Sequence, residues 1–449
     1  MVITCAQVLV YNDTTLHPLG AVALLVLGAA TLLVARPLAL VPIILMASLV
    51  SAGQRIAIGS LDFDLLRILF LIGWIRVIAR QEFLGFRWRA IDTAFVAWVA
   101  VSVLVYVTRE GPETIVYKLG NAYDEIGGYF LFRWLLRDWR DADRLAGALC
   151  LIAVPVAFFF LVERATGRNC FSVFGGVAAV TAVRDGRLRC QGPYAHPILA
   201  GCFWAVAVPL MAAQWWQPGR NRKLMAVAGV GSAVLVVVLC ASSTPLMGLI
   251  GAAIGGAAFL ARHRLGLIRV GTVLTLIALH MVMKAPVWSL LARVDVVGGS
   301  TGYHRYQLVD GAINHFSEWA ILGTSDTTHW GDSTLADVCM QYVGECVEGG
   351  ILTFALFMLV LVLAFSCAGT AWQRSQDDRG RLALAWAIGV SLFVHCVNFL
   401  GVAYFGQISV LWYLSLALAA SLSTSGVWRG WAQEKHLPPN EAQLASMPR

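Results

Sequence analysis

Long uninterrupted apolar runs constrain this chain more than any other feature. Leu145–Val162, Leu224–Ala241 and Ile351–Ala368 are each almost free of charge, and ten similar stretches accompany them. A bilayer crossing needs about 20 predominantly apolar residues. Inside lipid only helices and closed barrels satisfy every backbone group. Barrel strands would alternate apolar and polar residues, and these runs are continuous. The composition agrees: 59% of residues are hydrophobic and 13% charged, against about 25% charged in soluble domains. The expected fold is an all-α, polytopic integral membrane protein with about 12 transmembrane helices. Thirteen segments can be counted from Leu19–Val34 to Ile408–Leu422. The weakest is Tyr123–Leu136, which carries Asp124, Glu125 and Arg133, so the parity stands at twelve or thirteen. Residues 1–422 form the membrane domain, and 423–449 a polar, cytoplasmic tail.

Orientation follows from basic residues, which favour cytoplasmic loops. Five basic clusters recur between runs, at Arg76/Arg80/Arg87/Arg89, Arg133/Arg137/Arg140/Arg144, Arg220/Arg222/Lys223, Arg262/Arg264/Arg269 and Arg374/Arg379/Arg381. Their scatter in short loops accounts for the net charge of +7 without nucleic acid. The first residues lack a basic segment, so no cleavable signal is expected. Two segments then face outward, 163–195 and the long loop 285–350. Cys170 and Cys190 lie in the first, where a disulfide could form, although free thiols are the favoured reading. There is no CxxC and no zinc-type spacing, and no metal or cofactor is expected.

The long loop holds the largest concentration of polar chemistry. Between Gly298 and Gly350 stand His304, Arg305, His315, His329, Trp319 and Trp330. Loops above about 15 residues without structure of their own are uncommon unless functional or disordered, and this one is too rich in aromatic and aliphatic residues for disorder. Short helices lying on the membrane surface are expected, with both tryptophans at headgroup level and a cavity open to the bilayer beneath. The other outer segment carries Arg164, Arg168, Arg184, Arg187 and Arg189 on the face where positive charge is normally depleted. Arg187 and Arg189 precede Gly192-Pro193-Tyr194-Ala195-His196-Pro197, and Arg305 follows His304. A guanidinium fork binds oxyanions bidentately and stays charged, so these arginines suit a phosphate or diphosphate. A helix starting near His196 would add its positive end. His196 is expected to cap that helix, and His315 to sit at the interface. His280 and His395, inside runs, read as polar groups bonded between helices.

These residues resemble the O-antigen ligase superfamily, which includes the Wzy-type polysaccharide polymerases. The resemblance runs from about Ser51 to Leu422. It is most specific at Arg187–Gly201, then at the helix bearing Arg305, the turn Leu322-Gly323-Thr324, and Tyr342 with Glu348-Gly349-Gly350. Ser300–Tyr306, His329-Trp330-Gly331 and Asp337 look like a distinct branch. The resemblance implies a metal-independent, inverting glycosyltransferase at the periplasmic face of a bacterial inner membrane. Its donor would be an undecaprenyl-diphosphate-linked oligosaccharide and its acceptor a glycan or glycolipid, among membrane lipids and other polysaccharide-assembly proteins. By position, Arg189 and Arg305 hold the diphosphate, with Arg187, His304 and His196 beside them. Cys339-Met340 stands where the ligases carry a histidine-asparagine pair. A neutral thiol is a poor general base, which leaves His329 and Asp337 as the expected catalytic residues. Two other classes stay open. A transporter or lipid flippase would place its charges at the bilayer midplane on broken helices and show internal repeats. A non-catalytic scaffold of an envelope-glycan complex would need no base at all.

Overall fold

The computed structural model describes residues 14–59, 61–293, 302–331 and 333–424. Met1–Asp13, the start of the long loop at 294–301, and almost all of the tail lie outside them. Fifteen α-helices follow one another: α1 Pro18–Leu33, α2 Val41–Leu49, α3 Leu65–Ala79, α4 Ala90–Glu110, α5 Ile115–Leu135, α6 Trp139–Thr166, α7 Pro197–Ala212, α8 Arg222–Leu239, α9 Ser243–Ala257, α10 Leu265–Val282, α11 Gly302–Asn314, α12 Phe316–Trp319, α13 Gln341–Gln373, α14 Arg379–Phe399 and α15 Gln407–Leu422. Every apolar run read from the sequence contains a helix, although Phe63–Ile78 begins in a short strand. Seven helices are long and apolar enough to cross a membrane, counting α9 and α10 as one 40-residue stretch bent at Ala261.

Local chemistry sets the helix ends. Asp138 caps α6, accepting from the Arg140 and Asp141 amides, and Gly167 ends it in the left-handed conformation, as Gly does at many helix termini. Asp64 caps α3 and Asp378 caps α14. Pro197 opens α7, where its missing N–H costs nothing. The core is organised around α7 and α15, whose residues are almost all buried. At the edge, α10 buries no residue, so its apolar surface suits lipid contact. A cleft of about 750 Å³ lies between Arg269 of α10, Phe393 of α14 and the last third of α13, from Val362 to Gln373.

The bundle has two chemically distinct ends. At one, four arginines pair with buried or half-buried carboxylates. Arg133 pairs with Asp92 at 2.9 Å, Arg76 with Glu82 at 2.9 Å, Arg36 with Asp141 at 2.6 Å and Arg222 with Asp143 at 2.9 Å. Arg374 donates to the Ser423 carbonyl at the same end. The other end carries the segments read as outer, and here the chain is not wholly helical. Strands β1 (Arg55–Ile58) and β2 (Leu61–Asp64) form one antiparallel hairpin. Strands β3 (Ala182–Arg184) and β4 (Arg187–Arg189) form another. Cys190 is buried, Cys170 is exposed, and both are free thiols, so the disulfide considered above does not form.

The long loop has a small core of its own. Leu308, Ala312, Trp319, Trp330, Leu335, Met340 and Val347 pack together. Trp319 and Trp330 are therefore interior side chains rather than headgroup anchors. Their N–H groups are satisfied within the loop, by the Ala312 carbonyl at 2.7 Å and the Glu318 carboxylate at 2.9 Å. The loop docks on a kink in α13 at Gly350, where φ is +68°. Gly323 faces it, also left-handed at φ +71°. A Cβ at Gly323 would lie 2.2 Å from the Val347 carbonyl oxygen, and one at Gly350 would lie 2.5 Å from that of Ile321. Only glycine combines this φ with so close an approach. Arg109, at the end of α4, reaches the same point and donates to the carbonyls of Val347 and Glu348, both at 3.0 Å.

Candidate anion site

The site begins with the hairpin β3–β4. Its turn residues Asp185 and Gly186 both have positive φ, 50° and 73°. That is the geometry of a two-residue type I′ connection, which Asp-Gly favours. In the observed register Arg184 pairs with Arg187, and Ala182 with Arg189. Residues opposite each other, or two apart along a strand, share a face. Arg184, Arg187 and Arg189 thus stand on one face of the hairpin, and Arg184 also lies 3.8 Å from the Asp185 carboxylate.

The end of β4 is tied to the bundle. The Cys190 amide donates to the Leu239 carbonyl at the end of α8. Next comes the short turn into α9, and Thr244 in the first turn of α9 accepts from Arg305 Nη2 at 2.8 Å. Arg189 and Arg305 are therefore anchored at the two sides of the α8–α9 turn. Arg305 projects from the buried face of α11 that also holds Leu308 and Ala312. Arg184 lies near enough to Arg189, Arg305 and His196 to depress the pKa of each, although burial is the larger cause in every case. Arg189 Nε and Arg305 Nε are both buried N–H groups without a hydrogen-bond partner, and among the described residues neither arginine has a carboxylate partner. Among the described residues, the two other fully buried arginines, Arg76 and Arg133, each pair with a carboxylate. A charge taken from water without a partner is costly, so this pair has the electrostatics of an anion-binding site. The first turn of α9 points its amides to the same region and adds the positive end of a helix.

The remaining expected residues divide. His196 caps α7, its Nδ1 accepting from the Ile198 amide at 3.2 Å. Burial, with Arg189 and Arg184 nearby, lowers its pKa to about 4, so it is neutral at pH 7. His304 Nε2 donates to the Asp337 carbonyl at 3.2 Å and so fixes the segment that carries Asp337. Asp337 belongs to the neighbourhood of Arg305 through Cys339. Burial first, and the Asp337 charge second, push the Cys339 thiol up to about 11, against the pull of Arg305. Cys339 is thus a thiol at neutral pH. His329 is elsewhere: its Nε2 donates to Glu318 at 2.8 Å, and its ring packs against His315. His315 follows the C-terminal end of α11, ten residues beyond Arg305, or about 15 Å along the axis. The structure does not bring His329 to the arginines.

Sequence reasoning missed several polar groups at this end. Thr244, which holds Arg305, was not among the residues singled out from the sequence. His395, expected as a polar group bonded between helices, bonds the Tyr404 hydroxyl at 3.0 Å and Ser415 at 3.1 Å, and Asn398, which was not singled out, donates to the same Tyr404 oxygen at 3.1 Å. Gln341 accepts from the Tyr404 amide and donates to Glu345, which also holds the Trp98 indole. The Asp185-Gly186 dipeptide was the available signal for the hairpin. Nothing local marks the Tyr404 network, whose members meet only across helices. No protein-family model matches the chain, and no curated protein matches it.

Proposed function

We propose that this chain is a glycosyltransferase of the O-antigen ligase or polysaccharide polymerase type. It transfers oligosaccharide from an undecaprenyl diphosphate donor to an acceptor glycan or glycolipid, at the periplasmic face of a bacterial inner membrane. One observation carries the reading: at one end of the bundle Arg305 is buried and Arg189 half-buried, and among the described residues neither has a carboxylate partner, whereas Arg36, Arg76, Arg133 and Arg222 at the opposite end each have one. A diphosphate supplies the missing negative charge, and the helix-terminal amides of α9 add to its binding. In the proposed reaction an acceptor hydroxyl oxygen attacks the anomeric carbon. The bond from that carbon to the diphosphate breaks, and the leaving charge stays with the two guanidinium groups. The hydroxyl proton passes to a carboxylate, for which Asp337 is the candidate because it stands beside Cys339 and Arg305. His329 drops out of this role. On this reading the thirteen apolar segments give about twelve crossings, with the basic end cytoplasmic.

The test is chemical. In a strain lacking the protein, lipid-linked oligosaccharide should accumulate while the surface glycan disappears, and the wild-type gene should reverse both. An unchanged lipid-linked pool and an intact surface glycan would contradict a transferase.

A further inference from the structure

The fold brings together a second group of residues that the transfer reaction does not use. The geometry points to a transition-metal site of the zinc class, formed by His315, Glu318 and His329. Each offers one ligand atom, and the three atoms all lie within 4.8 Å of one another. Two imidazole nitrogens and one carboxylate oxygen are a donor set that zinc accepts at about 2.0–2.2 Å, and one that magnesium and calcium, which prefer oxygen, do not.

The second layer of contacts is already in place. His315 Nδ1 lies 2.9 Å from the Gly311 carbonyl oxygen, which can only accept. Nδ1 therefore carries the proton, and Nε2 presents a lone pair, as in zinc sites whose histidines are oriented by a backbone carbonyl. Trp330 stacks on the His315 ring at 5.4 Å and 9° between planes, holding its orientation. The same indole donates to Glu318 Oε2 at 2.9 Å, leaving Oε1 to face a cation. His329 Nε2 now shares a proton with Glu318 across 2.8 Å. A cation would take that proton's place, with the ring proton moving to Nδ1. Ligands on a tetrahedral zinc ion stand about 3.3 Å apart, given its bond lengths. The three side chains must close by roughly an ångström, which half-exposed Glu318 and His329 can do by rotation.

Three protein ligands leave a fourth position for water. The ion would join the α11–α12 junction to the turn Thr328–Trp330 and so close the loop that docks at Gly350. This inference does not rest on the glycosyltransferase reading. The Arg305→Lys variant should bind the metal normally even if transfer is lost.

The experiment uses full-length protein in detergent, purified on a tag without histidine, stripped with a chelator and titrated with zinc chloride by calorimetry. One equivalent should bind, and thermal unfolding should shift upward. Glu318→Gln and His329→Ala should each weaken binding by more than the roughly 10–100-fold that loss of an outer contact costs. Trp330→Phe keeps the stack and loses only the indole N–H, so it should fall within that 10–100-fold range. Zinc bound no more tightly by wild type than by the Glu318→Gln, His329→Ala double variant would overturn the site. So would the absence of any upward shift in wild-type unfolding.

Discussion

Among the described residues, the buried guanidinium groups of Arg76 and Arg133 each have a carboxylate. Arg133 is the clearest case: Asp92 accepts from it twice and also accepts from the Tyr129 hydroxyl at 2.6 Å, all inside the bundle. Removing one partner of such a pair leaves an uncompensated charge and costs about 3–5 kcal/mol. Asp92→Ala should therefore lower stability by that amount, seen as a sharp fall in unfolding temperature or in the folded fraction recovered in detergent. Arg305 offers the contrast, since among the described residues its guanidinium bonds only Thr244 Oγ1. Thr244→Val keeps the shape and removes a bond to a charged group worth about 1.5–3 kcal/mol. Transfer should fall at least tenfold if that bond holds Arg305 in place, with helix content unchanged. His196 adds a pH dependence. Its folded pKa, about 4, lies below the ordinary 6.5. The unfolded chain therefore takes up this proton first as pH falls. His196 contributes no penalty above pH 6.5, and a growing one as pH falls from 6.5 towards 4. His196→Asn, which retains a capping acceptor, should flatten that part of a stability profile measured between pH 7 and pH 4.5.

At the scale of elements, the long loop depends on a junction rather than on its length. Gly323 and Gly350 meet back to back, and Arg109 bonds the carbonyls on both sides. Alanine at either glycine must adopt a left-handed φ and push against a carbonyl oxygen. Gly323→Ala and Gly350→Ala should each expose the loop to limited proteolysis while the apolar helices stay protected. Equal cleavage of variant and wild type would count against the junction. This also shows what the sequence could and could not tell. The helices were legible because a span must be continuously apolar, and the capping residues mark their ends. The arginines drew attention because they lie in segments read as outer, where positive charge is normally depleted. The loop's interior was not. Trp319 and Trp330 fit an interfacial belt by composition, and only the fold shows them packed on Leu308 and Ala312. His329 looked like a base because it is a loop histidine near Asp337 in sequence. The rigid length of α11 separates the two by carrying His315, and His329 with it, away from Arg305.

At the scale of the whole molecule, the two ends make opposite predictions. If the paired basic end is cytoplasmic, Ser317→Cys in the loop should react with a membrane-impermeant thiol reagent in intact cells. Gln376→Cys, exposed at the basic end, should react only after permeabilisation. Both belong in a Cys170→Ser background, because Cys170 is itself exposed. The reverse pattern would invert the orientation and move the arginine site to the cytoplasm. The central claim is that Arg189 and Arg305 converge on one diphosphate. Lysine preserves the charge and loses the bidentate fork, and disturbing a charge-assisted contact costs about 2–5 kcal/mol. At about 1.4 kcal/mol per tenfold, Arg189→Lys and Arg305→Lys should each reduce transfer at least tenfold. The measurement is surface glycan against the lipid-linked pool in cells carrying each variant, at protein levels matched by blot. The account predicts depleted glycan and an enlarged lipid-linked pool for both. Near-normal glycan from both variants would contradict it.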